Sequence, residues 1–135
     1  MSLLQANIDI EDAFLTYWAS RTSVALQNTS FDPIALNVDE YIRFMVIDGD
    51  SNQASMGGTN TNVYRHNGIV LANVFTQPNG GARRCLEILD DLNQFFHSVS
   101  LSNITFLSPN HDHIGLVDGW FQKNILCDFY RDEDF

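Results

Sequence analysis

Tyr64–Arg65–His66–Asn67–Gly68–Ile69–Val70–Leu71–Ala72–Asn73–Val74–Phe75 is the stretch around which the chain is organised. Its second half, Ile69 to Phe75, is apolar and rich in β-branched and aromatic residues. That predicts a strand buried on at least one face. Pro78 has no N–H to offer a sheet ladder, so the strand ends before it. Gly80 and Gly81 permit a tight turn into a helix over 83–97. In that helix Ala82, Cys85, Leu86, Leu89, Leu92 and Phe96 recur at three- and four-residue spacing, with Arg83, Glu87, Asp90, Asp91 and Gln94 on the other side. A long strand with an amphipathic helix laid back over it is the expected centre of the core.

Upstream, Ile10, Phe14, Tyr17, Trp18 and Arg21 recur at helical spacing, which predicts a first helix over about 8–20. Asn7 or Asp9 is its expected cap, and Glu11 and Asp12 suit its positive end. Its aromatic stripe reads as core rather than as a partner face. Val24–Ala25–Leu26 is a short strand, and Tyr41 to Ile47 a second strong one. Alternation there puts Tyr41, Arg43, Met45 and Ile47 on one face and Ile42, Phe44 and Val46 on the other. From Asp48 to Asn62 apolar residues become sparse, and a long mobile loop is expected, with Met56 at its apolar tip. Asn67–Gly68 signals either a hairpin or a bulge within one strand.

Downstream, Ile104 to Leu107 reads as a strand, Ser108–Pro109–Asn110 as a turn, and His113 to Val117 as a further strand. Asp118–Gly119 marks a two-residue hairpin into a long strand from Trp120 to Tyr130. Residues 131–135, with Asp132–Glu133–Asp134, read as a solvated acidic tail.

The 135 residues match one domain and are enough for a core without staples. A hydrophobic fraction of 44% with ten Phe excludes a disordered chain. The net charge of −10 repels phosphate backbones, so specific nucleic-acid binding is not expected. Cys85 and Cys127 fall on apolar faces, which suits buried free thiols in a reducing compartment. No signal peptide is seen, and no window nears the roughly 20 apolar residues of a membrane span. A soluble, cytosolically made protein with no membrane partner is expected.

Few clusters suggest chemistry. His111 and His113 share a strand face and would be the ligands of a small metal-dependent hydrolase, but spacing places no third ligand. The bland reading is a polar turn before a strand. Cys85 and His97 sit twelve apart on one helix, too far for a thiol–imidazole pair. Tyr64–Arg65–His66 reads as a polar ladder or contact surface. Gly57–Gly58 lacks the glycine spacing and the Lys of a phosphate loop. No catalytic residue, cofactor or metal is therefore assigned.

The order of features carries a resemblance. A helix precedes Val24–Ala25–Leu26, then Phe31–Asp32–Pro33, then Tyr41–Ile42–Arg43. A polar glycine-bearing loop leads to Tyr64–Arg65–His66–Asn67–Gly68, and a strand ends at Pro78 near Gly80 before the second helix. Gly119–Trp120–Phe121–Gln122 and Phe129–Tyr130 close the chain. From about Ile10 to Tyr130 it resembles the phage tail terminator family. The resemblance implies an α+β fold with a mixed, mainly antiparallel sheet and two helices packed on it. It implies a homo-oligomer, typically a hexameric ring, on the tail tube protein, which ends tail polymerisation and presents a surface to a head–tail connector or neck protein. It implies a virion tail component assembled in the host cytoplasm, without catalysis. Met56, Gly57, Gly58, Tyr64, Arg65 and His66 are the candidate subunit or tail-tube interface. Another head–tail neck or completion protein, the hydrolase, and a monomeric ligand-binding domain are the competing readings.

Overall fold

The structure is a computed structural model and describes residues 2–19, 21–33, 36–55, 63–101 and 103–134. In chain order its elements are α1 (Leu3–Trp18), β1 (Ser23–Leu26), β2 (Tyr41–Ser55), β3 (Val63–Thr76), α2 (Arg83–Ser98), β4 (Ile104–Val117) and β5 (Trp120–Asp134). The strands form one sheet in the order β1-β2-β3-β5-β4. β1 runs parallel to β2, and the other three pairings are antiparallel. This is the α+β class with a mixed, mainly antiparallel sheet that the sequence predicts.

The stretch quoted first lies at the centre. β3 is flanked by β2 and β5, and its alternate residues Val70, Ala72 and Val74 are fully buried. Ile42, Phe44 and Val46 of β2 and Ile125, Cys127 and Phe129 of β5 share that face. Both helices cover it. Phe14 of α1 stacks on Phe44 with ring centroids 4.1 Å apart and meets Phe95 of α2 edge-on at 5.5 Å. Ala6, Ile10, Phe14 and Trp18 of α1 are buried at a strict four-residue spacing, as a helix with one core-facing stripe requires. Trp18 donates its indole N–H to the Thr22 hydroxyl at 3.0 Å, so its polar edge is satisfied inside. Arg84 forks onto both oxygens of Glu40, at 2.7 and 2.6 Å, and ties the start of α2 to the start of β2.

The opposite face of the sheet is different. Arg43, Met45 and Ile47 of β2 lie beside Asn73, Leu71 and Ile69 of β3, with Asn124, Leu126 and Asp128 of β5 next in the same rows. Among the described residues no helix packs on this face. Its end near Tyr41 is covered, where Phe31 lies against Tyr41 and Tyr41 stacks on Phe75.

Several expectations need correction. α1 begins at Leu3, not near Ile8, because the Ser2 hydroxyl caps it by accepting from the Gln5 N–H at 3.1 Å. The loop expected over 48–62 is strand as far as Ser55, since the polar segment pairs antiparallel with β3 from Val63 to His66. Residues 56–62 lie outside the described residues. The acidic tail expected at 131–135 is strand through Asp134, paired with Val63 to His66. Asn67–Gly68 is not a hairpin but lies within β3. The irregularity is on β2, where Gly49 and Asp50 are both accommodated between the pairs Asp48↔Gly68 and Ser51↔His66. Ser108–Pro109–Asn110 is no turn either. It lies inside β4, at a register shift between Phe106 and Pro109 on the sheet's edge, a place where proline's missing N–H costs no ladder bond. Leu86, assigned to the apolar side of α2, is exposed, while Ile88 and Phe95 are buried. The Asp118–Gly119 turn is present, with φ of 50° and 82°.

Candidate functional site

Of the predicted interface residues, Met56, Gly57 and Gly58 lie outside the described residues. Tyr64, Arg65 and His66 lie on the part of β3 that extends past the core, between β2 and the end of β5. Strand alternation splits them: Arg65 points to one face, Tyr64 and His66 to the other. Arg65 is engaged within the chain. Its Nε and one terminal nitrogen donate to the two Asp132 oxygens at 3.0 and 3.3 Å, and its guanidinium lies 4.1 Å from the Tyr130 ring centre. Hydrogen bonding to Asp132 raises its pKa further. On the other face His66 Nε2 lies 3.6 Å from a Glu133 oxygen, which is 3.9 Å from the buried Arg131. The sequence pattern missed this network because its acids were read as a tail.

Gly68 marks where the extension meets the core. A Cβ built there would stand 2.5 Å from the Phe129 ring and 2.9 Å from the Ile47 carbonyl oxygen. The ring occupies the space of the missing side chain, which is why only glycine fits.

His111 and His113 do share a face of β4, the one turned to α2. They line a hollow of about 280 Å³ with Leu86, Leu89, Asp90, Asp112 and Lys123. Lys123 Nζ donates to His113 Nδ1 at 3.0 Å, so that ring nitrogen is the acceptor and its lone pair is in use. Among the described residues no group of three or more His, Cys, Asp or Glu side chains is placed to hold a metal ion.

Both cysteines are free and buried. Burial, reinforced by the charge of Asp128, pushes the Cys127 thiol up to about 12, and its S–H donates to the Leu107 carbonyl at 3.1 Å. Burial also raises Cys85. Neither thiol is a ready nucleophile at neutral pH.

Two features escaped the sequence reading. α1 carries a second apolar stripe outside its buried one: Leu4 is 71% exposed, and Ile8 and Leu15 about as open as each other at 41% and 40%. On the bare sheet face, Arg43 makes no ion pair among the described residues, and the neighbouring Asn73 Oδ1 is buried without a hydrogen-bond donor among them. Alternation had put Arg43, Met45 and Ile47 on one face, but not revealed that the face is uncovered.

Comparison with known proteins agrees with this geometry. Seventeen solved chains match. One of them, whose name states no activity, is 19% identical, with 93% of this chain and 94% of that chain covered and a TM-score of 0.62, a likeness that speaks to the fold alone. No curated protein matches. The family model described as phage tail terminator protein matches residues 9–108, from α1 into β4. The chain belongs to the phage tail terminator family.

Proposed function

We propose that this chain is a structural component of the virion tail that caps the tail tube as a ring, ends its polymerisation and presents a surface for joining to the head. The observation that carries the reading is the family match across residues 9–108. The family is structural, and the ring in the resemblance is a hexamer of identical subunits. Its partners are the tail tube protein on one side and a head–tail connector or neck protein on the other, with assembly in the host cytoplasm. The extension with Tyr64, Arg65 and His66 is the candidate contact to a neighbouring subunit or to the tube protein. Its side chains are already held by Asp132 and Glu133, so little ordering entropy is lost on docking. A net charge of −10 suits a channel that DNA crosses without being gripped.

Deletion of the gene and complementation in trans test the reading, with tail length scored by electron microscopy. Tails of irregular, excessive length that return to normal on complementation are the expected result. Tails of normal length that lack heads would instead assign the chain to the neck.

A further inference from the structure

The sheet has one covered face and one bare face, and the bare one has an apolar middle between the polar row Arg43–Asn73–Asn124 and Asp128. Met45, Leu71 and Leu126 stand directly opposite one another across β2, β3 and β5, and Ile47 faces Ile69 in the next row. Ile47 is 44% exposed and the other four are partly buried. An antiparallel sheet with a solvated face alternates to polar residues on that side, and in these two rows only Asp128 is polar. An apolar face of this kind is closed by a second layer, most simply a helix.

The same chain holds a helix stripe of the matching kind. Leu4, Ile8 and Leu15 follow one line along α1, with Glu11 between Ile8 and Leu15. The two surfaces lie on opposite sides of the sheet, because the buried stripe of α1 already packs against Phe44. They cannot meet within one chain. Charge complements them as well. α1 has no basic residue, and Glu11 makes no ion pair with any described residue. Arg43 borders the bare patch, next to Met45 in alternation, and its side chain hydrogen-bonds with that of Tyr41.

We infer that α1 of one copy lies across the bare sheet face of the next, Leu4, Ile8 and Leu15 on the Met45–Leu71–Leu126 row and Glu11 against Arg43. The contact joins two different surfaces, so it is head-to-tail, the kind that makes a ring where its rotation closes and a filament where it does not, and the ring reading above takes the first. The occupant is a second copy because one chain carries both halves of the match. The inference rests on the ring reading above and names the surfaces that make the ring.

The charge pair supplies the test. Arg43→Glu puts two acids at the contact, and Glu11→Arg puts two cations there. Each variant alone is expected to weaken self-association of the full chain at least about tenfold in sedimentation equilibrium, as juxtaposed like charges do. An equimolar mixture is expected to recover assembly, because each variant's altered surface is complementary to the other's, in alternation. Circular dichroism melts confirm that both variants fold, and Ile8→Asp, which changes only an exposed side chain, is expected to leave a monomer. Wild-type protein that stays monomeric at high concentration, single variants that assemble like wild type, or a mixture that fails to recover would each overturn the inference. Tail length in the complementation assay is read separately. Normal capping by wild type with undisturbed assembly of the variants would sink the assigned surfaces and leave the capping role standing.

Discussion

β2, β3 and β5 each run through two unlike regions. In the core their inward residues are Ile42, Phe44, Val46, Val70, Val74 and Ile125, all closed by the helices. Past Gly68 the same strands carry Ser51, Asn52 and Gln53 opposite His66, Arg65 and Tyr64, with Asp132 and Glu133 beyond. The core half is a strand because its side chains alternate between burial and solvent. The extension is a strand because its backbone continues a ladder already aligned, and because Arg65–Asp132 and the Arg131–Glu133–His66 group join its neighbours. Apolar alternation is thus sufficient for a strand and not required for one.

If that division is right, damage should scale with position. Phe14→Ala removes a fully buried ring from between Phe44, Trp18 and Phe95. It is expected to cost about 3–5 kcal/mol in denaturant unfolding, the usual range for a buried aromatic truncated to alanine. A loss under about 1 kcal/mol would place the core elsewhere.

Gly68→Ala tests the seam. The new methyl must displace the Phe129 ring and press on the Ile47 carbonyl, which is backbone and cannot swing away. A cost of about 1–3 kcal/mol is expected from overpacking. Combining it with Phe129→Leu should recover part of the loss if the ring is the obstacle, and an unchanged loss would assign it to the backbone contact.

Glu133→Gln comes next. It removes the negative charge beside Arg131, which is 5% exposed, and the carboxylate 3.6 Å from the His66 ring. About 1–2 kcal/mol is expected, since the buried cation keeps its burial and loses an ion-pair partner 3.9 Å away. Faster amide exchange should be confined to Val63–Asn67 and Tyr130–Asp132. Exchange that rises equally in β3 of the core would show that the two regions unfold together.

The smallest effect is expected for Asp132→Asn. The Arg65–Asp132 pair is well formed but about 40% and 38% exposed, and solvent screens it. Its melting temperature should move less than that of Glu133→Gln, and a larger shift would reverse the ranking of the two networks.

The same division explains what the sequence disclosed. β3 from Ile69 to Phe75, the start of β2, the Asp118–Gly119 hairpin and α2 were legible because period and turn chemistry act within a few residues. The polar half of β2 and the end of β5 were not, because what makes them strands is a partner distant in sequence. Pro109 misled for a related reason. Proline forbids a central strand but is tolerated at an edge, and edge position is a property of topology. The start of α1 was misplaced because Ser2, Asn7 and Asp9 are all good caps, and only the Ser2 hydroxyl takes that role. Of the candidate interface, Tyr64, Arg65 and His66 are neighbours on β3 divided between its two faces, and their partners on β5 left no local signal in the sequence.

One consequence lies in how the extension would carry force. β3 and β5 stay in unbroken register from Val63↔Asp134 to Thr76↔Phe121, so both strands cross from the extension into the core with no joint between them. A push on the outer end is borne as shear along that whole ladder, and the pair acts as a stiff lever anchored among the aromatic rings. β2 is the compliant member, since its shifts beside Asp48 and Gln53 let it bend locally. A displacement at the outer end would therefore pass along β3 and β5 toward Phe129 and Ile125, with β2 the strand that can yield.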